Sequence, residues 1–260
     1  MLCSFSLDPG KPERAVTSLV EAWKQDYLKV FVLEATSPVE SVLDFYNDLL
    51  PSIGTAAYIA EDVAVGDRHQ QRTGEIWMDV KYDPRIKDAY RHSSSAQPLH
   101  TDGSYIAQYP NASLMACEAN APRGGETTFL DGDALLQVLR DEAPALLKKL
   151  LVVTVPHSRS GDRRELPIVR LEQDKIFLNW NYYCVDPKGG SEIAEIRQAF
   201  HEFLLSSQGV RTATLGVKLD RGDAVVWKDE RVLHGRNGFV AHQRGDRFLW
   251  KCAVDVGEWQ

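Results

Sequence analysis

From residue 76 onward the chain is a succession of short β-prone runs, and this pattern most limits what it can fold into. The runs fall at 76–82, 113–117, 127–130, 152–155, 176–180, 213–217, 224–227 and 248–252, with Gly, Asp and Pro between them. Runs of this length and composition predict strands. Helices are expected at about 133–140, 144–150 and 192–206, with Ser191 as the cap of the last. Many short strands with peripheral helices predict a mostly β fold, a barrel or two-sheet sandwich with helices on one face.

Ahead of this region, a helix is expected over about 12–24 and a strand over 29–33. A second helix should start with Ser37 as N-cap, Pro38 in the first turn and Glu40 closing a capping box. Its Val39, Val42, Leu43, Tyr46, Leu49 and Leu50 share one face, which implies packing against a sheet. Residues 54–74 are polar and contain glycine, as befits either a solvated connector or a lid over a pocket. The 260 residues are read as one domain, with 1–74 as N-terminal support and 75–255 as the core.

The chain is 43% apolar with a formal charge of −7, so it can bury a sizeable core. It has no basic tract to suit a nucleic acid, and no apolar run approaches the roughly 18 residues of a membrane span. The N-terminus lacks the pattern of a signal peptide. Cys3, Cys117, Cys184 and Cys252 are scattered, as reduced structural thiols would be. A cytoplasmic protein that acts on a small molecule is the expectation.

The chemistry is concentrated in His100-Thr101-Asp102 and in His234, 132 residues beyond the aspartate. Two imidazoles and one carboxylate can hold one face of an octahedral Fe(II), leaving positions open for O2 and a co-substrate. Ligands one residue apart suit a strand end or tight turn, and the third must come from another strand. His234 is expected just beyond the end of the strand at 224–227. A short motif alone is weak evidence, so neighbouring features matter. Gly124-Gly125-Glu126-Thr127 turns into a strand and offers a hydroxyl. Arg247, at the start of the last strand, suits a bidentate grip on a carboxylate.

Pro98-Leu99-His100-Thr101-Asp102-Gly103-Ser104-Tyr105, Gly124-Gly125-Glu126-Thr127 and Val232-Leu233-His234-Gly235-Arg236 followed by Arg247 resemble the Fe(II)/2-oxoglutarate-dependent dioxygenases of the taurine dioxygenase superfamily. The pattern is most similar to the γ-butyrobetaine hydroxylase and clavaminate synthase branches, and it covers about residues 75–255. The resemblance implies a double-stranded β-helix, or jelly roll. It implies His100, Asp102 and His234 as iron ligands, with Thr127 and Arg247 on the distal carboxylate of 2-oxoglutarate. It further implies hydroxylation of an unactivated C–H bond, with succinate and CO2 as co-products. Desaturation or cyclisation would use the same cofactors. The Asp102 carboxylate speaks against halogenation, because halogenases of this superfamily have a small residue there. Where such chains often carry a second arginine four residues after the first, this one has Lys251, which keeps the charge but loses the fork.

Trp77, Gln97, Tyr105, Asn179, Asn181, Tyr183, Arg236 and Lys251 are the candidate substrate contacts. Strand alternation would put Asn179, Asn181 and Tyr183 on one face. The aromatic residues could box a trimethylammonium group, but a small polar metabolite, an amino acid or a derivative of one, fits the chain best. Two readings from other classes remain open: a metal-holding jelly roll that senses rather than catalyses, and a zinc hydrolase.

Overall fold

A computed structural model describes residues 1–58, 75–86, 89–159 and 161–257. In chain order these form β1 (Leu2–Leu7), α1 (Glu13–Trp23), β2 (Val30–Ala35), α2 (Val42–Ile53), β3 (Gly54–Ala56), β4 (Met78–Lys81), β5 (Gln97–His100), β6 (Ala112–Ala119) and β7 (Thr127–Asp131). There follow α3 (Gly132–Glu142), α4 (Pro144–Val152), β8 (Thr154–Arg159), β9 (Asp162–Pro167), β10 (Val169–Glu172), β11 (Lys175–Leu178), α5 (Ser191–Ser206) and α6 (Gln208–Ala213). The chain closes with β12 (Thr214–Val217), β13 (Ala224–Lys228), β14 (Val232–Arg236) and β15 (Phe248–Val256).

Two sheets face each other. The larger runs β1-β2-β13-β6-β15-β3, with β4 also paired to β15, and the smaller runs β12-β7-β14-β5. Hairpins β8–β9 and β10–β11 stand apart from both. Alternation along β2 shows how the layers are built. Val30 and Val32 point between the sheets, where they join Met115, Trp227 and Leu249 of the larger sheet and Phe129, Val217 and Val232 of the smaller. The Phe129 and Trp227 rings meet there edge to face, 5.5 Å apart. Phe31 and Leu33 point the other way, onto Leu19 of α1 and Tyr46 and Leu50 of α2. Outside the smaller sheet, Leu130 and Leu233 pack with α3, α4, α5 and the two hairpins around Trp180 and Phe200.

Helices therefore cover both outer faces, not one as expected. The physical reason lies in runs such as Val30-Phe31-Val32-Leu33. A strand apolar at every position needs partners on both sides.

Other differences are local. The second helix starts at Val42 rather than beside Pro38, and the capping side chain is Ser41, which accepts from the Asp44 amide at 3.4 Å. Arg221 donates to the carbonyls of Val39 and Glu40, which holds that stretch outside the helix. Ser191 is the first residue of α5, after Gly190, and makes no capping bond. Strands β1, β3, β5, β9, β10 and β14 and helix α6 were not foreseen. Of the stretch considered as a lid, residues 54–56 form β3 against β15, and 59–74 lie outside the described residues. No helix among the described residues is long and apolar enough to cross a membrane.

Candidate active site

His100 is the last residue of β5, and His234 sits within β14, directly opposite it in the antiparallel register. His234 is thus inside a strand, not beyond one. Cross-strand pairing brings the imidazoles together, with centroids 4.2 Å apart. The register shifts between His234 and Arg236, at Gly235. A Cβ on Gly235 would lie 2.6 Å from the Gln97 carbonyl oxygen, so only glycine lets β5 and β14 approach this closely.

Asp102 enters from the turn after β5. Its carboxylate oxygens lie 4.0 Å from His100 Nε2 and 3.7 Å from His234 Nε2. One donor atom from each of the three residues falls within 4.8 Å of the others. The turn is held by Thr101, whose amide donates to the Trp180 carbonyl at 2.7 Å and whose Oγ accepts from the Trp180 amide at 3.0 Å. Gly103 then takes φ +53°, and any Cβ there would strike the Tyr109 ring.

The donors are set for a cation. The Pro98 carbonyl accepts from His100 Nδ1 at 2.8 Å, which leaves the Nε2 lone pair facing the cluster. The Gln97 amide approaches that lone pair at 3.2 Å. Burial holds both imidazoles below their ordinary pKa, His234 well below, so both are in the neutral form that ligates metal. Burial acts to raise the Asp102 carboxyl, but the Lys251 ammonium beside it outweighs burial and keeps the group below the usual range. Ser113 donates to Asp102 Oδ2 at 2.8 Å, and Lys251 forms an ion pair with the same oxygen. Two neutral imidazoles and a carboxylate on one side of a cleft fit a divalent ion of the Fe(II) kind.

Asp229 lies behind this cluster, with a fully buried side chain. Its Oδ1 accepts from the Asp102 amide at 3.2 Å and from Trp227 Nε1 at 3.1 Å, and lies 3.8 Å from His234 Nδ1. One carboxyl group thus anchors the turn that carries Asp102 and lies beside His234 without bonding to it. Burial, and next the charge of Asp102, hold the Asp229 carboxyl well above the usual range. Sequence reasoning missed it. The available signal was a carboxylate five residues before His234, at the end of a strand.

Thr127 opens β7, paired with Arg236 of β14, and is nearly buried. Arg247 is 2% exposed and donates from Nε to the Gly125 carbonyl at 3.1 Å. Both Arg236 and Arg247 lie over the Phe239 ring, at 5.0 and 5.5 Å. Burial pushes Arg236 down to about 10. Burial and then the like charge of Arg236 push Arg247 down to about 9. Two guanidinium groups held together away from water call for an anion.

The profile of the taurine catabolism dioxygenase TauD, TfdA family matches residues 51–253. The chain belongs to this dioxygenase family. Its γ-butyrobetaine dioxygenase relative from Pseudomonas sp. (strain AK-1) is 28% identical over 191 residues, which is 69% of this chain and 49% of that protein. Dioxygenase str8 of Strobilurus tenacellus is 26% identical, over 73% of this chain and 47% of that protein. The chain therefore spans about half the length of these curated relatives. Among solved structures, an asparagine oxygenase with Fe(II), hydroxyasparagine and succinate matches with TM-score 0.65 and 14% identity, over 95% of this chain and 80% of that one. The iron oxygenase OrfP with iron and α-ketoglutaric acid matches with TM-score 0.61 and 14% identity, over 95% and 79%. At these identities the structures speak for the fold alone.

In this TauD-family chain a cavity of about 480 Å³ opens beside the cluster. Gln97, Tyr105, Asn181, Tyr182, Tyr183 and Lys251 line it, together with Tyr90, Arg91 and Arg159, which the sequence did not single out. Three expected contacts lie off its walls. Trp77 is on the far side of β4, where its Nε1 donates to Asn47 at 3.2 Å, while Met78 and Val80 face the cavity. Asn179 is buried, with its amide against His157 at 3.3 Å. The expected alternation fails because β11 ends at Leu178 and the chain turns. Arg236 donates from Nη2 to the carbonyls of Tyr90, Ser93 and Ser95 and so clamps the segment leading into β5.

Proposed function

We propose that this chain is an Fe(II)- and 2-oxoglutarate-dependent oxygenase that hydroxylates an unactivated C–H bond of a small polar metabolite, an amino acid or a derivative of one. The observation that carries the reading is the convergence of His100, Asp102 and His234, with both imidazoles neutral, at the mouth of a cavity. The two facing sheets support assignment of the core as a double-stranded β-helix.

In this reading His100, Asp102 and His234 hold the iron. Arg247, with Thr127 nearby on β7, holds the distal carboxylate of 2-oxoglutarate, which relieves the buried guanidinium pair. When bound, iron and 2-oxoglutarate supply the oxidising power, with O2 as oxidant and succinate and CO2 as co-products. The protein orients the target bond and keeps water from it. Asp102 retains the ligand position that halogenation would need open. A zinc hydrolase would leave Arg247 without a task, and a sensor would need no such anion grip.

The test is succinate formation by the purified protein with Fe(II), 2-oxoglutarate and O2. It should appear with the wild type and vanish in His100→Ala and His234→Ala. Hydrolytic activity supported by zinc alone, without 2-oxoglutarate, would overturn the proposal.

A further inference from the structure

We infer, on the reading of the site just given and narrowing it from free amino acids to derivatives without the ammonium group, that its substrate is a small carboxylate whose remainder carries no positive charge. The first observation is the charge of the cavity wall. The chain as a whole carries a formal −7, yet the charged side chains lining this cavity, among the described residues, are Lys251, Arg91, Arg159 and one carboxylate, Asp102. Asp102 is committed to the ion. No other described acid faces the cavity to receive an ammonium group.

The second observation is the placement of Lys251. It stands on β15 between Met78 of β4 and Met115 of β6, both cavity residues, with its ammonium against Asp102 and 5.8 Å from the Trp227 ring centroid. A divalent ion cancels the Asp102 charge and leaves one positive charge over. The two negative charges of 2-oxoglutarate offset that charge and one of the two on the Arg236 and Arg247 pair. The ammonium of Lys251 then remains as an uncompensated cation in a half-enclosed space. A substrate carboxylate neutralises it, whereas a cationic group beside it adds like-charge repulsion in a medium of reduced dielectric.

The third observation concerns the aromatic residues. A trimethylammonium group needs open ring faces. The Tyr182 ring is stacked on His201 at 4.1 Å and lies under the Arg197 guanidinium, also at 4.1 Å. Tyr90 and Tyr183 lean on each other at 5.4 Å and join through their hydroxyls at 2.5 Å. Trp77 lies across the sheet, and Tyr105, which also lines the cavity, is a single ring and 6% exposed, where a cage needs several open faces. What the cavity offers instead are neutral hydrogen-bonding groups, the amides of Gln97 and Asn181 and the tyrosine hydroxyls. These suit an amide- or hydroxyl-bearing acid.

The test uses anaerobic protein loaded with Fe(II) and 2-oxoglutarate, and follows the visible charge-transfer absorption of that adduct as carboxylates are added. Two matched pairs serve as probes: γ-butyrobetaine against its hydrocarbon isostere, with a quaternary carbon in place of nitrogen, and asparagine against N-acetylasparagine. The uncharged-tail member of each pair should bind about tenfold tighter or more, and Lys251→Gln should weaken its binding by a similar factor while Lys251→Arg retains it. Equal or tighter binding of the charged members overturns the inference, as does an unchanged affinity in Lys251→Gln. Failure of all four probes at millimolar concentration also overturns it. Any of these results leaves the oxygenase reading intact, because the absorption itself reports that site. If the absorption never forms, the oxygenase reading fails and this inference falls with it.

Discussion

Replacing Asp229 with alanine should weaken metal binding by about 10–100-fold, equivalent to about 1.4–2.7 kcal/mol. The magnitude follows from what the side chain holds. Its Oδ1 takes the Asp102 amide and the Trp227 indole N–H and faces His234 Nδ1 at 3.8 Å. Without it, His234 keeps its strand position but loses a close polar neighbour, and the turn carrying Asp102 loses its anchor. The two stranded donors also cost stability, about 1–3 kcal/mol each before any repacking.

Because the group is held above the usual carboxylate range, the neutral amide of Asp229→Asn is its close isostere. That variant should stay within about 1 kcal/mol of wild-type stability and lose less than about tenfold in metal affinity. Calorimetric titration of Co(II) or Fe(II) into the metal-free protein measures the affinity, and urea unfolding without metal measures the stability. Unchanged metal affinity in a folded Asp229→Ala protein would refute the idea that this carboxyl positions the donors.

Three other outcomes are expected. Arg247→Ala should raise the 2-oxoglutarate dissociation constant by about 10–100-fold, since a hydrogen bond to a charged group is worth about 1.5–3 kcal/mol; an unchanged constant in equilibrium dialysis would point to Arg236 as the anion grip. Gly235→Ala should cost about 1–3 kcal/mol and abolish tight metal binding, because its Cβ would meet the Gln97 carbonyl 2.6 Å away and force β5 from β14; wild-type Co(II) affinity would show that the strands adjust freely. Burial holds the His157 imidazole down at about 4 against an ordinary 6.5. The unfolded chain therefore binds a proton in this window that the folded chain does not, and stability falls as pH drops from 6.5 toward 4, by about 3 kcal/mol in full. His157→Gln should flatten that slope in urea denaturation; a variant with the wild-type slope would refute the assignment.

The residues that could donate to a metal were legible in the sequence because that capacity is chemical and local. His-x-Asp needs only a turn, and a second histidine flanked by Leu and Gly in a β-rich chain is recognisable wherever it folds. The strand runs of β2, β6, β7, β13 and β15 were equally legible from their apolar and β-branched residues. Strand β14 was not. Val232-Leu233-His234-Gly235-Arg236 is buried throughout and so shows no alternation to read. Strands β1 and β3 are short edge pieces completed by partners far along the chain.

Pairing is what the one-dimensional pattern lacks. The register of β5 on β14 sets His100 against His234. The end of β11 at Leu178 sends Asn179 into the interior and Asn181 to the cavity, and the two faces of β4 separate Trp77 from Met78. Asp229 acquires its part only because β13 delivers it behind both donors. The sequence by itself determined which groups could bind a metal and an anion, because that depends on functional groups. The tertiary structure decided which residues share a cavity and with what net charge, because distance, burial and dielectric arise only when remote strands meet.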